Sequence, residues 1–145
     1  MTPHSFERKF TLSVPSSTDN LVMIRDFVGK IGQQAGLGMN EVAQLELAVD
    51  EACANVIEHA YGKDVSKEVM VRAVVDHETI QIDVIDTGKG FDPGSIESRD
   101  LKELVRERRS GGLGMRLMRQ LMDEVHYQIT PGEKNELRMV KRLRK

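Results

Sequence analysis

The chain has 145 residues, of which 30% are charged and 39% hydrophobic, and a formal net charge of −2 with both signs interspersed. That length predicts one domain, residues 1–145, with a core of its own, and that balance excludes a disordered chain. The near-neutral charge argues against direct nucleic-acid binding, and no apolar run approaches the ~20 residues of a membrane span.

Met1-Thr2-Pro3-His4-Ser5-Phe6-Glu7-Arg8-Lys9 lacks the features of a signal peptide. The single Cys53 excludes a disulfide framework. A cytoplasmic setting without a membrane anchor is the expectation. Phe10, Leu12 and Val14 alternate with polar residues and predict a half-buried strand. Pro15-Ser16-Ser17-Thr18 breaks it and offers helix N-caps. Leu21, Ile24, Val28, Ile31 and Ala35 then recur at helical spacing, and Gly36 and Gly38 end that helix. Asn40 is the expected N-cap of the next helix, whose core stripe is Val42, Leu45, Val49, Cys53, Val56 and Ala60. Tyr61-Gly62-Lys63-Asp64 closes it.

Val69, Val71, Ala73 and Val75 mark one buried strand face, Asp76-His77-Glu78 a turn, and Ile80, Ile82 and Val84 the next buried face. Asp86 continues that phase, so its carboxylate is expected to face inward. From Thr87 to Gly111 the pattern dissolves, apart from a short helical signal at Leu101, Leu104 and Val105; loops of this length are functional or mobile. Leu113, Leu117, Met118, Leu121, Met122 and Val125 predict a helix near 113–124. Val125, Tyr127 and Ile129 alternate into a strand, Pro131 to Asn135 turn the chain, and Leu137, Met139 and Leu143 mark a last strand with Lys141 and Arg142 at its edge. Strands clustered in pairs predict an α+β fold: a two-layer sandwich of a mostly antiparallel, mixed sheet with helices on one face.

Three segments carry chemistry. Glu51 and Asn55, four residues apart, share a helix face away from the apolar stripe. That face is either solvated or lines a cleft, where a carboxylate accepts a proton and an amide oxygen ligates a hard cation such as Mg²⁺. Asp86-Thr87-Gly88-Lys89-Gly90 reads as a strand-ending turn or as a base site. In the second reading Gly88 and Gly90 let a flat ring approach, and Asp86 accepts a hydrogen bond from an exocyclic amine such as that of adenine. Ser110-Gly111-Gly112-Leu113-Gly114 precedes a helix and is either a cap or a loop presenting N–H groups to phosphate oxygens. Arg106, Arg108 and Arg109 add positive charge before it or form a solvated run. There is no Walker-type loop, and His4, His59, His77 and His126 lack metal-ligand spacing with the cysteine.

In this order, Glu51-Ala52-Cys53-Ala54-Asn55-Val56-Ile57-Glu58-His59-Ala60-Tyr61, Asp86-Thr87-Gly88-Lys89-Gly90-Phe91 and Ser110-Gly111-Gly112-Leu113-Gly114-Met115 resemble the asparagine box and the two glycine boxes of the GHKL ATP-binding fold. That fold is shared by histidine kinases and gyrase-type ATPases. The chain is most similar to the stand-alone anti-sigma-factor serine kinases of bacteria, over nearly its whole length. The resemblance implies a serine/threonine-protein kinase that uses ATP and Mg²⁺. Asn55 would ligate Mg²⁺, and Asp86 would hydrogen-bond the adenine amine. Gly88 and Gly90 would border the base, and Ser110, Gly111, Gly112, Leu113, Gly114 and Met115 would form the phosphate loop. Glu51 would be the general base, and residues 87–112, chiefly 92–109, the ATP lid. The implied partners are an anti-anti-sigma protein as phosphorylation substrate, a sigma factor that is sequestered, and a second copy in a homodimer. The alternative is an ATP-responsive module that sequesters a regulatory partner without significant phosphotransfer. One departure is that Lys134-Asn135-Glu136 stands where the family often has Gly-Thr, so the Thr contact near adenine is absent or replaced by Asn135.

Overall fold

A computed structural model describes residues 7–62, 64–88, 114–130 and 133–143. Its strands are β1 (Arg8–Pro15), β2 (Glu68–Val75), β3 (Thr79–Asp86), β4 (Glu124–Thr130) and β5 (Lys134–Arg142). Its helices are α1 (Leu21–Gln34), α2 (Met39–Asn55) and α3 (Gly114–Leu121), and α2 runs on into a π-helical turn, Val56–Ala60. Lys63, residues 89–113, Pro131 and Gly132, each read in the sequence above, lie outside the described residues.

The five strands form one sheet in the order β1-β2-β3-β5-β4. Every neighbouring pair is antiparallel, which bears out the α+β reading and excludes a parallel doubly wound sheet. The period-2 pattern sets the register. Val71 faces Val84, Ala73 faces Ile82, and across the next ladder Ile82 faces Met139 and Val84 faces Leu137. These side chains are buried and belong to the same core cluster as Ile24, Val28 and Ile31 of α1, Leu45, Val49 and Cys53 of α2, and Met118 of α3. Each fully buried aliphatic side chain contributes about 1.5–3 kcal/mol relative to exposure. Among the described residues no helix is long and apolar enough to cross a membrane.

The other sheet face is polar. Asp83 is fully buried there, and it accepts from Arg72 Nη2 at 3.2 Å and from Arg138 Nε at 3.0 Å. Arg72 also donates to Glu136 at 3.1 Å. A buried carboxylate is tolerated because both oxygens are charge-paired.

Helix ends follow local rules with two corrections. Gly36, at φ +97°, ends α1: its N–H donates to Gln33 O at 3.1 Å and the Leu37 N–H to Gly32 O at 3.0 Å, a Schellman pair. The N-cap of α2 is Gly38, not Asn40. Gly38 is extended at ψ 169° while its carbonyl already accepts from Val42 N–H at 2.9 Å, which leaves Asn40 inside the first turn. The last helix stops at Leu121 rather than near residue 124, because Asp123 N–H has moved to the sheet and donates to Val140 O at 2.9 Å. Lys141, expected at an edge, is buried. Its Nζ donates to Leu121 O at 3.0 Å and to Gln44 Oε1 at 3.2 Å, a cation at the carbonyl end of α3.

Candidate nucleotide site

Asp86 ends β3 in the phase of Ile80, Ile82 and Val84, and it is 5% exposed, as its inward phase predicts. An unpaired buried carboxylate would be costly. Here its Oδ1 accepts from the Gly88 N–H at 2.9 Å and from Asn135 Nδ2 at 2.9 Å. Asn135 lies directly across the ladder from Asp86, and the same Nδ2 donates to Gly88 O at 2.9 Å. Asp86, Gly88 and Asn135 thus close a small ring of hydrogen bonds at one end of the sheet. Among the described residues Oδ2 accepts no hydrogen bond. Tyr127 on β4 is in electrostatic reach of this ring: burial pushes its phenol above the usual tyrosine range, with Arg119 opposing and the Asp86 charge adding to the rise.

The asparagine-bearing helix is tied to the same ring. After Asn55 the helix widens, and the Tyr61 N–H closes the π-helical turn on Val56 O at 2.9 Å. Such turns occur often at functional sites. The Tyr61 hydroxyl then donates to Glu68 O at 2.6 Å and accepts from the Thr87 N–H at 2.9 Å. One phenol therefore links the end of α2, the start of β2 and the loop that carries Asp86 and Gly88. In the sequence Tyr61 closes the helix and ends the segment that resembles the asparagine box, with no role for its hydroxyl. Its signal was available in a phenol buried beside a glycine turn, which needs a partner for its hydroxyl.

Asn55 is buried at 8% exposure, and its side chain makes no capping hydrogen bond. Glu51, one turn before it, is half-buried. Burial, then the Asp50 and Glu58 charges, raise the Glu51 carboxyl above the ordinary glutamate range. Asp50 itself faces Arg25 Nε of α1 at 3.3 Å. Glu58, on the π-helical turn, was not singled out in the sequence. Cys53 on the opposite side of α2 is fully buried, which pushes its thiol up and makes it a core residue rather than a nucleophile.

Of the residues named for the phosphate loop, Gly114 opens α3 and Met115 follows in its first turn. Ser110, Gly111, Gly112 and Leu113, with Gly90, lie outside the described residues. A shallow concavity lined by His77, Glu78, Thr79, Arg142 and Leu143 lies at the opposite end of β3 from Asp86 and takes no part in this arrangement.

A two-layer sheet-and-helix fold with a buried carboxylate at a strand end, tied to an asparagine-bearing helix, defines a class. The chain belongs to the family described as the histidine kinase-like ATPase domain, whose model matches residues 14–141. It is similar to the serine-protein kinase RsbW of Bacillus licheniformis, with 34% identity over 122 residues that cover 81% of this chain and 76% of that one. With these relatives it is a protein serine/threonine kinase. In fold it is similar to a crystal structure of RsbU and RsbW domains from Mycobacterium tuberculosis, with a TM-score of 0.68 and 15% identity. That match covers 93% of this chain but 32% of that longer one. It is also similar to a chain of the SiaB–SiaC complex from Pseudomonas aeruginosa, with a TM-score of 0.65, 13% identity and coverage of 90% and 88%.

Proposed function

We propose that this protein is a cytoplasmic anti-sigma-factor serine kinase that binds ATP with Mg²⁺, phosphorylates a Ser or Thr of an anti-anti-sigma partner, and sequesters a sigma factor as a homodimer. The observation that carries the nucleotide reading is the buried Asp86, with Oδ1 satisfied by Gly88 and Asn135 and Oδ2 without a donor among the described residues. The adenine amine supplies such a donor. The buried Asn55, whose side chain makes no capping hydrogen bond, fits a magnesium nucleotide, since Mg²⁺ takes oxygen ligands and draws several of them from substrate phosphates and water. Asn55 is the protein oxygen in this reading. Bound Mg²⁺ supplies charge neutralisation across the phosphates.

The residues of the chain divide the remaining work. Asp86 orients the base. Gly114 opens α3 and sets the N-terminal end of that helix toward the phosphates. Glu51 stands one helical turn from Asn55 and takes the hydroxyl proton of the incoming Ser or Thr. Its environment suits that task, because burial and the Asp50 and Glu58 charges raise its carboxyl above the ordinary glutamate range and make it the stronger proton acceptor. The segment from residue 87 to 112 acts as a lid over the nucleotide.

The test is transfer from labelled ATP to the small anti-anti-sigma partner. Glu51→Ala keeps ATP binding and loses roughly 10²–10⁴-fold in transfer, the span of a general base. Asn55→Ala loses Mg²⁺-dependent binding and transfer together. A Glu51→Ala protein that phosphorylates at the wild-type rate removes Glu51 from the mechanism. A wild type that binds ATP and phosphorylates no partner leaves the sequestering module as the function.

A further inference from the structure

Asn135 supports Asp86 in the nucleotide reading, and its bonds also decide what that carboxylate can offer a base. It is 5% exposed, and it is the cross-strand partner of Asp86. Its orientation follows from its neighbours. Nδ2 meets Asp86 Oδ1 and Gly88 O, both acceptors, each at 2.9 Å. The reversed amide would set its oxygen against two acceptors and lose both bonds. Its own Oδ1 is buried and finds no hydrogen-bond partner among the described residues. Both N–H groups of the amide are therefore spent on holding the Asp86 loop.

The consequence falls on Asp86. An ionised carboxylate oxygen has about two acceptor sites. On Oδ1 the Gly88 N–H and Asn135 Nδ2 take both. Oδ2, without a donor among the described residues, is the oxygen that remains for a base. Adenine offers one amine beside a bare ring nitrogen, and a single oxygen serves it. Guanine offers two N–H groups side by side on its ring edge, and a carboxylate matches that edge only by using both oxygens in parallel, as it does with the fork of an arginine.

We infer that Asn135 is a base-specificity residue: by occupying Asp86 Oδ1 it restricts the carboxylate to one ligand-facing oxygen, which selects adenine nucleotides over guanine nucleotides. This rests on the nucleotide reading of the Asp86 site. Asn135 acts through Asp86, so it is a positioning residue rather than a catalytic one.

The experiment is calorimetric titration of the full chain with ADP and with GDP, each with Mg²⁺, for the wild type, Asn135→Ala and Asn135→Leu. Leucine keeps the side-chain volume and removes both donors. The wild type binds ADP tenfold or more tightly than GDP, and in both variants that ratio falls by about tenfold, the value of one discriminating hydrogen bond. A merely structural role for Asn135 weakens both nucleotides alike and leaves the ratio unchanged, which overturns the inference and spares the nucleotide site. A wild type that binds ADP and GDP equally overturns it even if the variants do not fold. A wild type that binds neither nucleotide overturns the site itself.

Discussion

Replacing Asp86 by asparagine tests the base site with little cost to the fold. An amide at this position has two settings. With its oxygen at the Oδ1 position it keeps the bonds from the Gly88 N–H and Asn135 Nδ2, both 2.9 Å in the wild type, and turns its NH₂ to the ligand side. The reverse setting points NH₂ at two donors and forfeits both bonds, at about 1 kcal/mol each. The first setting therefore prevails by about 2 kcal/mol. The ring survives, and the melting temperature moves by no more than about 2–4 °C, the equivalent of 1 kcal/mol at this chain length. The ligand meets a donor where it had a charged acceptor. Losing that hydrogen bond costs on the order of 1–3 kcal/mol, which weakens ADP roughly 5- to 150-fold. Calorimetric titration with ADP and Mg²⁺, paired with thermal melting, reads both quantities on one sample. Equal ADP affinity in the two proteins refutes the placement of adenine at Asp86. A collapse in melting temperature refutes the argument that the amide keeps the Oδ1 bonds.

Four further outcomes follow from other parts of the fold. Tyr61→Phe removes the acceptor of the Thr87 N–H and the donor to Glu68 O; it costs about 1–3 kcal/mol of stability and weakens ADP, and an unchanged ADP affinity would show that this phenol does not position the Asp86 loop. Glu58→Gln removes one of the charges that, after burial and Asp50, raise the Glu51 carboxyl, so the acid limb of transfer against pH moves to lower pH in the variant. Because the folded state holds the Glu51 proton more tightly than the unfolded chain, ionising it costs stability as pH rises above the ordinary value of 4.5. Glu51→Gln accordingly gains stability over wild type at neutral pH and not below that value, as denaturant melts at two pH values will show. Gly36→Ala, at φ +97° in the turn that ends α1, destabilises by about 1–2 kcal/mol in the same measurement, and a neutral effect would mean that the turn relaxes.

Much of this was legible in the sequence because it depends on local periodicity. The alternation of Val69, Val71, Ala73 and Val75, and of Ile80, Ile82 and Val84, follows from a side-chain repeat of two, so strand, face and burial came together. The same count put Asp86 inside before any fold was known. The stripe of Leu45, Val49 and Cys53 did likewise for α2 at a repeat near four. Helix ends were read less well. Gly38 displaced Asn40 as a cap because backbone conformation, not side-chain preference alone, decides where the first turn begins.

What the sequence determined by itself was the set of elements, their buried faces, and the family to which the three motifs point. What only the tertiary structure decided was which distant residues meet. The last strand inserts between β3 and β4, and that insertion sets Asn135 opposite Asp86, 49 positions apart in the chain. Tyr61 reaches Thr87 across 26 positions, and Lys141 leaves its expected edge to cap α3. Periodicity encodes the direction in which a side chain points, but a hydrogen bond also needs its partner's position. That position is set by strand order and register, which follow from the packing of the whole sheet.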